Sequence, residues 1–303
     1  MYDVIIIGSG PAGLSAAIYA KRAALDTLVI EKSPLSGGQI LNTYEVDNYP
    51  GLPKISGMEL GQKMREHANQ QQVSFVTESV KKIISEDDVK KVVTNKNTYE
   101  TKTVILAMGA SHRALGVPGE EELCGMGVSY CATCDGAFFK NRIVAVVGGG
   151  DVALEDALFL ARGCKQVYLI HRRDEFRGAK ILQEQVRNTE NITLCMDSVV
   201  EKIEGEDSVE KILTINKKTQ EKKELEVQGV FIAVGILPNT DETQGLPTRD
   251  EAGYIVAGED GVTNLPGVFV AGDCRTKQLR QVITATADGA NAVTSVEKYL
   301  FKM

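Results

Sequence analysis

No apolar run in this sequence approaches the roughly 18 residues that a membrane-spanning helix needs. No secretory leader is expected, because MYDVIIIG enters an apolar strand pattern within its first residues. The basic and apolar regions of a signal peptide are missing ahead of it. Positive charge is not in surplus: 34 Lys+Arg face 41 Asp+Glu, a formal charge of −7 over 303 residues. The overall electrostatic footprint of a nucleic-acid binder is therefore absent. Histidine is scarce, and His67, His112 and His171 are scattered. There are six cysteines, and a cytoplasmic chain of this size does not need a disulfide framework. What is there is an ordinary globular composition, 43% hydrophobic and 25% charged, with a length suited to about two domains. The expectation is a cytoplasmic protein with no membrane or nucleic-acid partner.

The strongest positive signal is an internal repeat. Residues 4–31 read VIIIGSGPAGLSAAIYAKRAALDTLVIE, and residues 144–171 read VAVVGGGDVALEDALFLARGCKQVYLIH, an ungapped offset of 140. Each copy runs from a β-branched stretch through glycines into an amphipathic helix and out into a second apolar run, a β-α-β unit. The likeness continues. FVTESVKKI (75–83) matches LCMDSVVEKI (194–203), and TVILAMG (103–109) matches GVFIAVG (229–235). Between these lie SEDDVKKVV and EGEDSVEKILTINKKTQEKKELEV, read as hairpin meanders whose charges form solvated faces.

The first unit is interrupted. RALGVPGE (113–120) and TQGLP (243–247) look like linkers. After the second comes a tail with a buried strand, GVFVAGD (267–273), and a helical stretch, TATADGANAVTSVEKYL (284–300). The tail is read as returning to complete the first unit. The predicted fold class is α/β, with two Rossmann-like dinucleotide-binding domains of the three-layer ββα type, the second inserted into the first. The expected domains are 1–113 with 245–303, and 114–244.

The first loop is Gly8-Ser9-Gly10-Pro11-Ala12-Gly13. Its first glycine permits a tight turn, its second lets a pyrophosphate approach the backbone, and its third lets helix and strand pack closely. Glu31 ends the second strand, where a carboxylate accepts hydrogen bonds from a ribose diol. The second loop is Gly148-Gly149-Gly150-Asp151-Val152-Ala153, but the position equivalent to Glu31 is His171, followed by Arg172, Arg173 and Arg177. A 2′-phosphate repels a carboxylate and takes forked hydrogen bonds from arginine, so this loop points to NADPH. A solvated basic turn is the plainer alternative. Two unlike dinucleotide sites suggest a flavoprotein, with Asp273 placed to hold the ribityl chain of FAD.

Cys131-Ala132-Thr133-Cys134-Asp135 precedes the second loop. Structural zinc would need two more ligands, and no second CxxC or histidine pair exists, so no metal is expected. A redox-active disulfide fits, with Asp135 as proton donor or acceptor. The alternative for Asp135 is an ordinary Asp-Gly turn. Cys124, Cys164, Cys195 and Cys274 are read as structural.

Taken together, GSGPAG, GGQ (37–39), CATCDG, GGGDVALEDA, HRRDEFR and AGD…RQ resemble the bacterial low-molecular-weight thioredoxin reductases, over essentially the whole chain. The resemblance implies a homodimer that passes electrons from NADPH through FAD to the cysteine pair and on to thioredoxin. It implies FAD contacts at Gly8, Ser9, Gly10, Pro11, Ala12, Gly13, Glu31, Gln39, Asn48, Gly109, Asp273 and Gln281. It implies NADPH contacts at Gly149, Gly150, Asp151, His171, Arg172, Arg173 and Arg177, and a redox pair Cys131/Cys134 with Asp135 as acid/base. It places Cys134 nearer the flavin. Met108 and Val152 depart from the commonest pattern without removing a charge. Nicotinamide and dithiol would share one domain and one flavin face, which implies rotation about linkers near Arg113–Gly119 and Pro238–Pro247. The same scaffold reducing another disulfide protein, or fed by ferredoxin, and a non-catalytic redox sensor are the rival readings.

Overall fold

The computed structural model describes every residue except Tyr44, Asp87 and Glu242, together with all side chains outside these but that of Asn42. The first segment runs β1 (Tyr2–Ile7), α1 (Pro11–Arg22), β2 (Thr27–Glu31), α2 (Gly57–Gln70), β3 (Ser74–Thr77), β4 (Val80–Glu86), β5 (Val89–Thr94) and β6 (Thr98–Leu106). Strand order is β3-β2-β1-β6-β5-β4, parallel from β3 to β6 and antiparallel beyond. The apolar run of β1 is explained by burial on both faces. Val4 and Ile6 join a core with Leu14 and Ala17 of α1. Ile5 and Ile7 join another with Val80, Ile83 and Val92 of the meander.

The chain continues through β7 (Ala110–His112), β8 (Val128–Ser129), α3 (Ala132–Asp135), β9 (Ile143–Gly148), α4 (Asp151–Ala161), β10 (Gln166–Ile170), α5 (Lys180–Arg187), β11 (Ile192–Cys195), β12 (Ser198–Glu204), β13 (Lys211–Asn216), β14 (Lys222–Glu226) and β15 (Gly229–Ala233). A parallel sheet, β11-β10-β9-β15-β8, lies beside the antiparallel meander β12-β13-β14. The alternation of β1 recurs in β9. Val144 and Val146 face α4, and Ala145 and Val147 face Ile203, Ile212 and Leu225 of the meander. The expected repeat is a repeat of architecture: helix layer, parallel sheet, meander. Both expected meanders are present, although Asp87 in the first lies outside the described residues.

After β16 (Ile236–Pro238) the chain adds β17 (Val268–Val270) beside β6 and ends in α6 (Val282–Leu300) against α1. Contacts divide it into two units: 1–43, 49–111 and 237–303, and 44–48 with 112–236. The return crossing thus comes at Ile236/Leu237. The TQGLP stretch lies inside the first unit, where Gln244 exchanges backbone hydrogen bonds of 2.9 Å with Lys81 and Ile83 of β4. Each unit is Rossmann-like, and the larger part of the second interrupts the first. Among the described residues no helix is long and apolar enough to cross a membrane.

Candidate functional site

In the first unit, the ends of β1, β6 and β17 bring Gly8–Gly13, Gly109 and Asp273 to one edge of the sheet, the edge where open α/β sheets bind ligands. The glycines of the first loop are needed for different reasons. Gly8 has φ +105°, and a Cβ there would collide with the Ala107 carbonyl oxygen. A Cβ on Gly13 would collide with the Gly8 carbonyl oxygen. Gly10 is different, because its Cβ would sit 3.8 Å from the nearest atom, the Gly37 carbonyl oxygen. Nothing in the folded chain demands glycine at that position, and the open backbone leaves room for a ligand. Pro11 opens α1, where a missing N–H is harmless.

Glu31 is locked onto the same loop. Its Oε2 accepts from Ser9 N at 2.7 Å and Ser9 Oγ at 2.8 Å, and its Oε1 accepts from Ser33 N at 3.0 Å. Asp273 Oδ1 is buried with no hydrogen-bond partner among the described residues, and burial pushes its carboxyl up despite the cations Lys277, Arg280 and Arg275. Gln281 caps α6 through a capping box with Thr284. Gln39 is half-buried in the 3-10 turn Gly38–Asn42. Asn48 is not grouped with these residues: it belongs to the segment 44–48 that clusters with the second unit.

The second loop repeats the spacing with different chemistry. A Cβ on Gly148 would collide with the Ala233 carbonyl oxygen, whereas one on Gly150 would meet nothing within 4 Å. His171 is buried, and its ring fills the place a Cβ on Gly149 would take. Its Nε2 contacts the Glu175 carbonyl oxygen at 3.0 Å. Burial holds the imidazole below its ordinary pKa, with Arg177, Arg173 and Arg172 acting the same way. The following turn folds over the loop. Arg177 N donates to Gly149 O at 2.7 Å, and Ala179 N donates to Asp151 Oδ1 at 2.7 Å. Arg172, Arg173 and Arg177 are exposed and form no ion pair among the described residues. Three free guanidinium groups beside a glycine loop suit a phosphate.

The same unit carries the dithiol. Cys131 and Cys134 form a disulfide, with Cα atoms 5.3 Å apart. Cys131 is the N-cap of the short helix α3, and its carbonyl accepts from Cys134 N at 3.2 Å and Asp135 N at 3.1 Å. Asp135 Oδ2 accepts from Ser129 Oγ at 2.6 Å, and Ser129 Oγ in turn accepts from Cys131 N at 3.1 Å. Asp135 Oδ1 is buried without a partner among the described residues. Burial raises the carboxyl pKa, and the Ser129 bond works the other way. Beside the dithiol is a cleft of about 180 Å³, lined by Ser129, Asp135, Phe138 and Arg142 among others.

Residues 2–289 match the family described as pyridine nucleotide-disulphide oxidoreductase. The chain belongs to that family. Membership implies a pyridine nucleotide, a flavin and a disulfide as the reacting group. A thioredoxin reductase of Listeria innocua is 46% identical over 301 residues, covering 99% of this chain and 94% of the relative. The crystal structure of thioredoxin reductase from Streptococcus pyogenes is 45% identical, with a TM-score of 0.95 over 100% of this chain and 99% of the other. The Lactococcus lactis enzyme in its FR conformation is 43% identical, with a TM-score of 0.69 over 100% of both chains.

Two features of this family member were not visible in the sequence. Ser129, two residues before the first cysteine, joins Asp135 to the Cys131 amide. Glu120, 4% exposed, accepts from Leu115 N at 2.9 Å, Gly116 N at 2.7 Å and Tyr130 Oη at 2.7 Å, tying the RALGVPGE stretch to the residue before Cys131. The hydroxyl and acid near CATC were the available signals, and neither has a periodic signature.

Proposed function

We propose that this protein is an NADPH-dependent flavoprotein that reduces the disulfide of thioredoxin through Cys131 and Cys134. The observation that carries this reading is the dithiol with its fixed acid. A Cys131–Cys134 disulfide lies beside Asp135, which is clamped by Ser129 and has one buried oxygen unpaired. The 46% identity to a thioredoxin reductase supports the choice of substrate.

We assign FAD to the first unit and NADPH to the second, with the return crossing at Ile236/Leu237 rather than the expected 244/245. The residues fit both groups. The open backbone at Gly10, the N-terminus of α1, the acceptor Glu31 and the unpaired Asp273 Oδ1 suit a flavin dinucleotide. Gly8 to Gly13, Glu31, Gln39, Gly109, Asp273 and Gln281 would hold it, with Asn48 expected beside them by resemblance. Gly149, Gly150, Asp151, His171, Arg172, Arg173 and Arg177 would hold NADPH. When bound, FAD supplies a two-electron relay between a nicotinamide hydride and a disulfide.

The chain's own groups do the sulfur chemistry. Two electrons and two protons open the Cys131–Cys134 bond into two thiols. One cysteine, as thiolate, attacks the substrate disulfide; a mixed disulfide forms and one substrate thiolate leaves. The other cysteine then attacks the mixed disulfide, Cys131–Cys134 re-forms, and the second substrate thiolate leaves. The two protons lost by the cysteines go to the two leaving sulfurs, and Asp135 is the group placed to carry them. The reading includes rotation about the linkers between half-reactions. What supports the rotation is that the dithiol and the proposed nicotinamide loop lie on one unit and the proposed flavin loop on the other. A homodimer working in the cytoplasm completes it.

The test is NADPH oxidation by the purified protein with and without thioredoxin, with NADH and a Cys134→Ser variant alongside. Thioredoxin-dependent turnover with NADPH, lost in the variant and weak with NADH, is the expected result. Flavin reduction without thioredoxin turnover moves the substrate to another disulfide protein. No reduction by NADPH makes ferredoxin the donor to test next.

A further inference from the structure

Beside the unpaired oxygen of Asp273 lies a buried ion cluster with one charge too many. Asp288 of α6, 6% exposed in its side chain, accepts four bonds. They come from Gly272 N at 2.9 Å, Arg275 Nε at 2.9 Å, Arg275 Nη2 at 2.7 Å and Lys277 Nζ at 2.8 Å. The forked pair with Arg275 already balances the Asp288 carboxylate. Lys277 is a second cation on the same anion, and its side chain is also 6% exposed. A buried ammonium needs a counter-charge of its own. The other carboxylate within reach is Asp273, whose Oδ1 is 4.0 Å from Lys277 Nζ. That oxygen is the one with no hydrogen-bond partner among the described residues.

We infer that Lys277 is the positioning residue that keeps Asp273 an ionised, bare acceptor for a polyhydroxyl ligand. This rests on the flavin reading, under which the ligand is the ribityl chain. The ammonium is too far to saturate the carboxylate by a short hydrogen bond and near enough to hold its charge. Asp273 therefore accepts from a ligand hydroxyl by a charge-assisted bond, and a protonated Asp273 accepts less well. The other charged and titratable groups facing Asp273 are Arg275 and Arg280 of its own loop, Asp288 of α6, Tyr254 and the Cys274 thiol. Arg280 is turned toward the Tyr254 ring, 4.1 Å from its centroid. Asp288 is committed to its own donors. Arg280 Nε is itself buried without a hydrogen-bond partner, but Lys277 is the cation within 4.0 Å of an Asp273 oxygen among the described residues.

The experiment measures FAD binding to the full-length protein stripped of flavin, by fluorescence titration between about pH 5 and 9. Wild type, Lys277→Gln, Lys277→Arg and Asp273→Asn are compared. Gln keeps a donor for Asp288 and removes the charge. The pH at which FAD affinity falls should rise by about 1–3 units in Lys277→Gln, because losing a cation raises the carboxylate pKa. Lys277→Arg should restore the wild-type profile. Asp273→Asn, which leaves the cluster around Asp288 in place, should bind weakly at every pH with no acid limb. A Lys277→Gln profile superimposed on wild type overturns the inference, as does an acid limb that persists in Asp273→Asn. A wild-type protein that binds no FAD overturns the flavin reading itself, a distinct result.

Discussion

Gly10 and Gly13 stand three residues apart and answer to different masters. A Cβ on Gly13 collides with the chain itself, and one on Gly10 does not. Gly13→Ala should therefore destabilise the flavin-free protein by about 1–3 kcal/mol. Gly10→Ala should leave its urea midpoint nearly unchanged and weaken FAD binding tenfold or more. Equal loss of stability in both would remove the argument that Gly10 is kept for a ligand. Asp135 gives a second test. Asp135→Asn keeps the shape and the Ser129 contact but cannot carry a proton. Turnover with thioredoxin should fall by about 10²–10⁴-fold, with the reaction's dependence on this carboxyl lost from its pH profile. Stopped-flow separation of the two half-reactions should place the loss in thiol exchange. Asp156 on α4 gives a stability test. Burial, then the neighbouring Glu155, pushes its carboxyl up to about 7. The folded chain thus holds a proton that the unfolded chain releases. Stability from this group is full below the ordinary carboxylate range and is lost as pH rises toward 7. Asp156→Asn does not titrate. It should gain about 2–4 kcal/mol over wild type at pH near 8 and converge with it in acid, as read by thermal unfolding at both pH values.

At the scale of elements, α1 and α6 approach through Gly289, where a Cβ would collide with the Ala12 carbonyl oxygen and lie 2.8 Å from Ala16 N. Ser15 Oγ donates to Thr286 O at 2.7 Å across the same contact. Gly289→Ala must push the helices apart. It should cost about 1–3 kcal/mol and loosen FAD together with the fold, because both helices begin at the proposed flavin edge. Denaturant unfolding with and without FAD reads both effects. Elements of this kind were largely legible. The alternation Val4/Ile6 against Ile5/Ile7 and its echo Val144/Val146 against Ala145/Val147 follow from two-sided burial, and burial is written in side chains. The charged stretches read correctly as meanders because one face of such strands is wet. What escaped was bonding between backbone and loops. TQGLP has a linker's composition, yet Gln244 is hydrogen-bonded to β4, since side-chain identity does not tell where an amide finds its partner. Glu120 and Ser129 escaped for another reason: each bonds groups within ten residues along the chain, in turns that carry no periodic signature.

For the molecule as a whole, each unit owns two cores, one on either face of its own parallel sheet. A unit with its own core can unfold by itself. The proposed reaction would use that independence, since under it two ligands are held while the linkers change conformation. Calorimetry of the flavin-free protein should therefore show two transitions rather than one. A ligand that binds only one folded unit stabilises that unit by RT ln(1 + [L]/Kd), about 2.7 kcal/mol at a hundredfold excess over Kd. FAD should raise one transition and NADP⁺ the other, each leaving its neighbour nearly in place. In variants, Gly10→Ala should blunt the FAD shift alone, and Arg172→Ala with Arg173→Ala should blunt the NADP⁺ shift alone. One merged transition raised equally by both ligands would mean that the units unfold as a single body. The assignment of one nucleotide to each would then lose its thermodynamic support, and the rotation between half-reactions would have to be sought in smaller movements than a turn of one unit on the other.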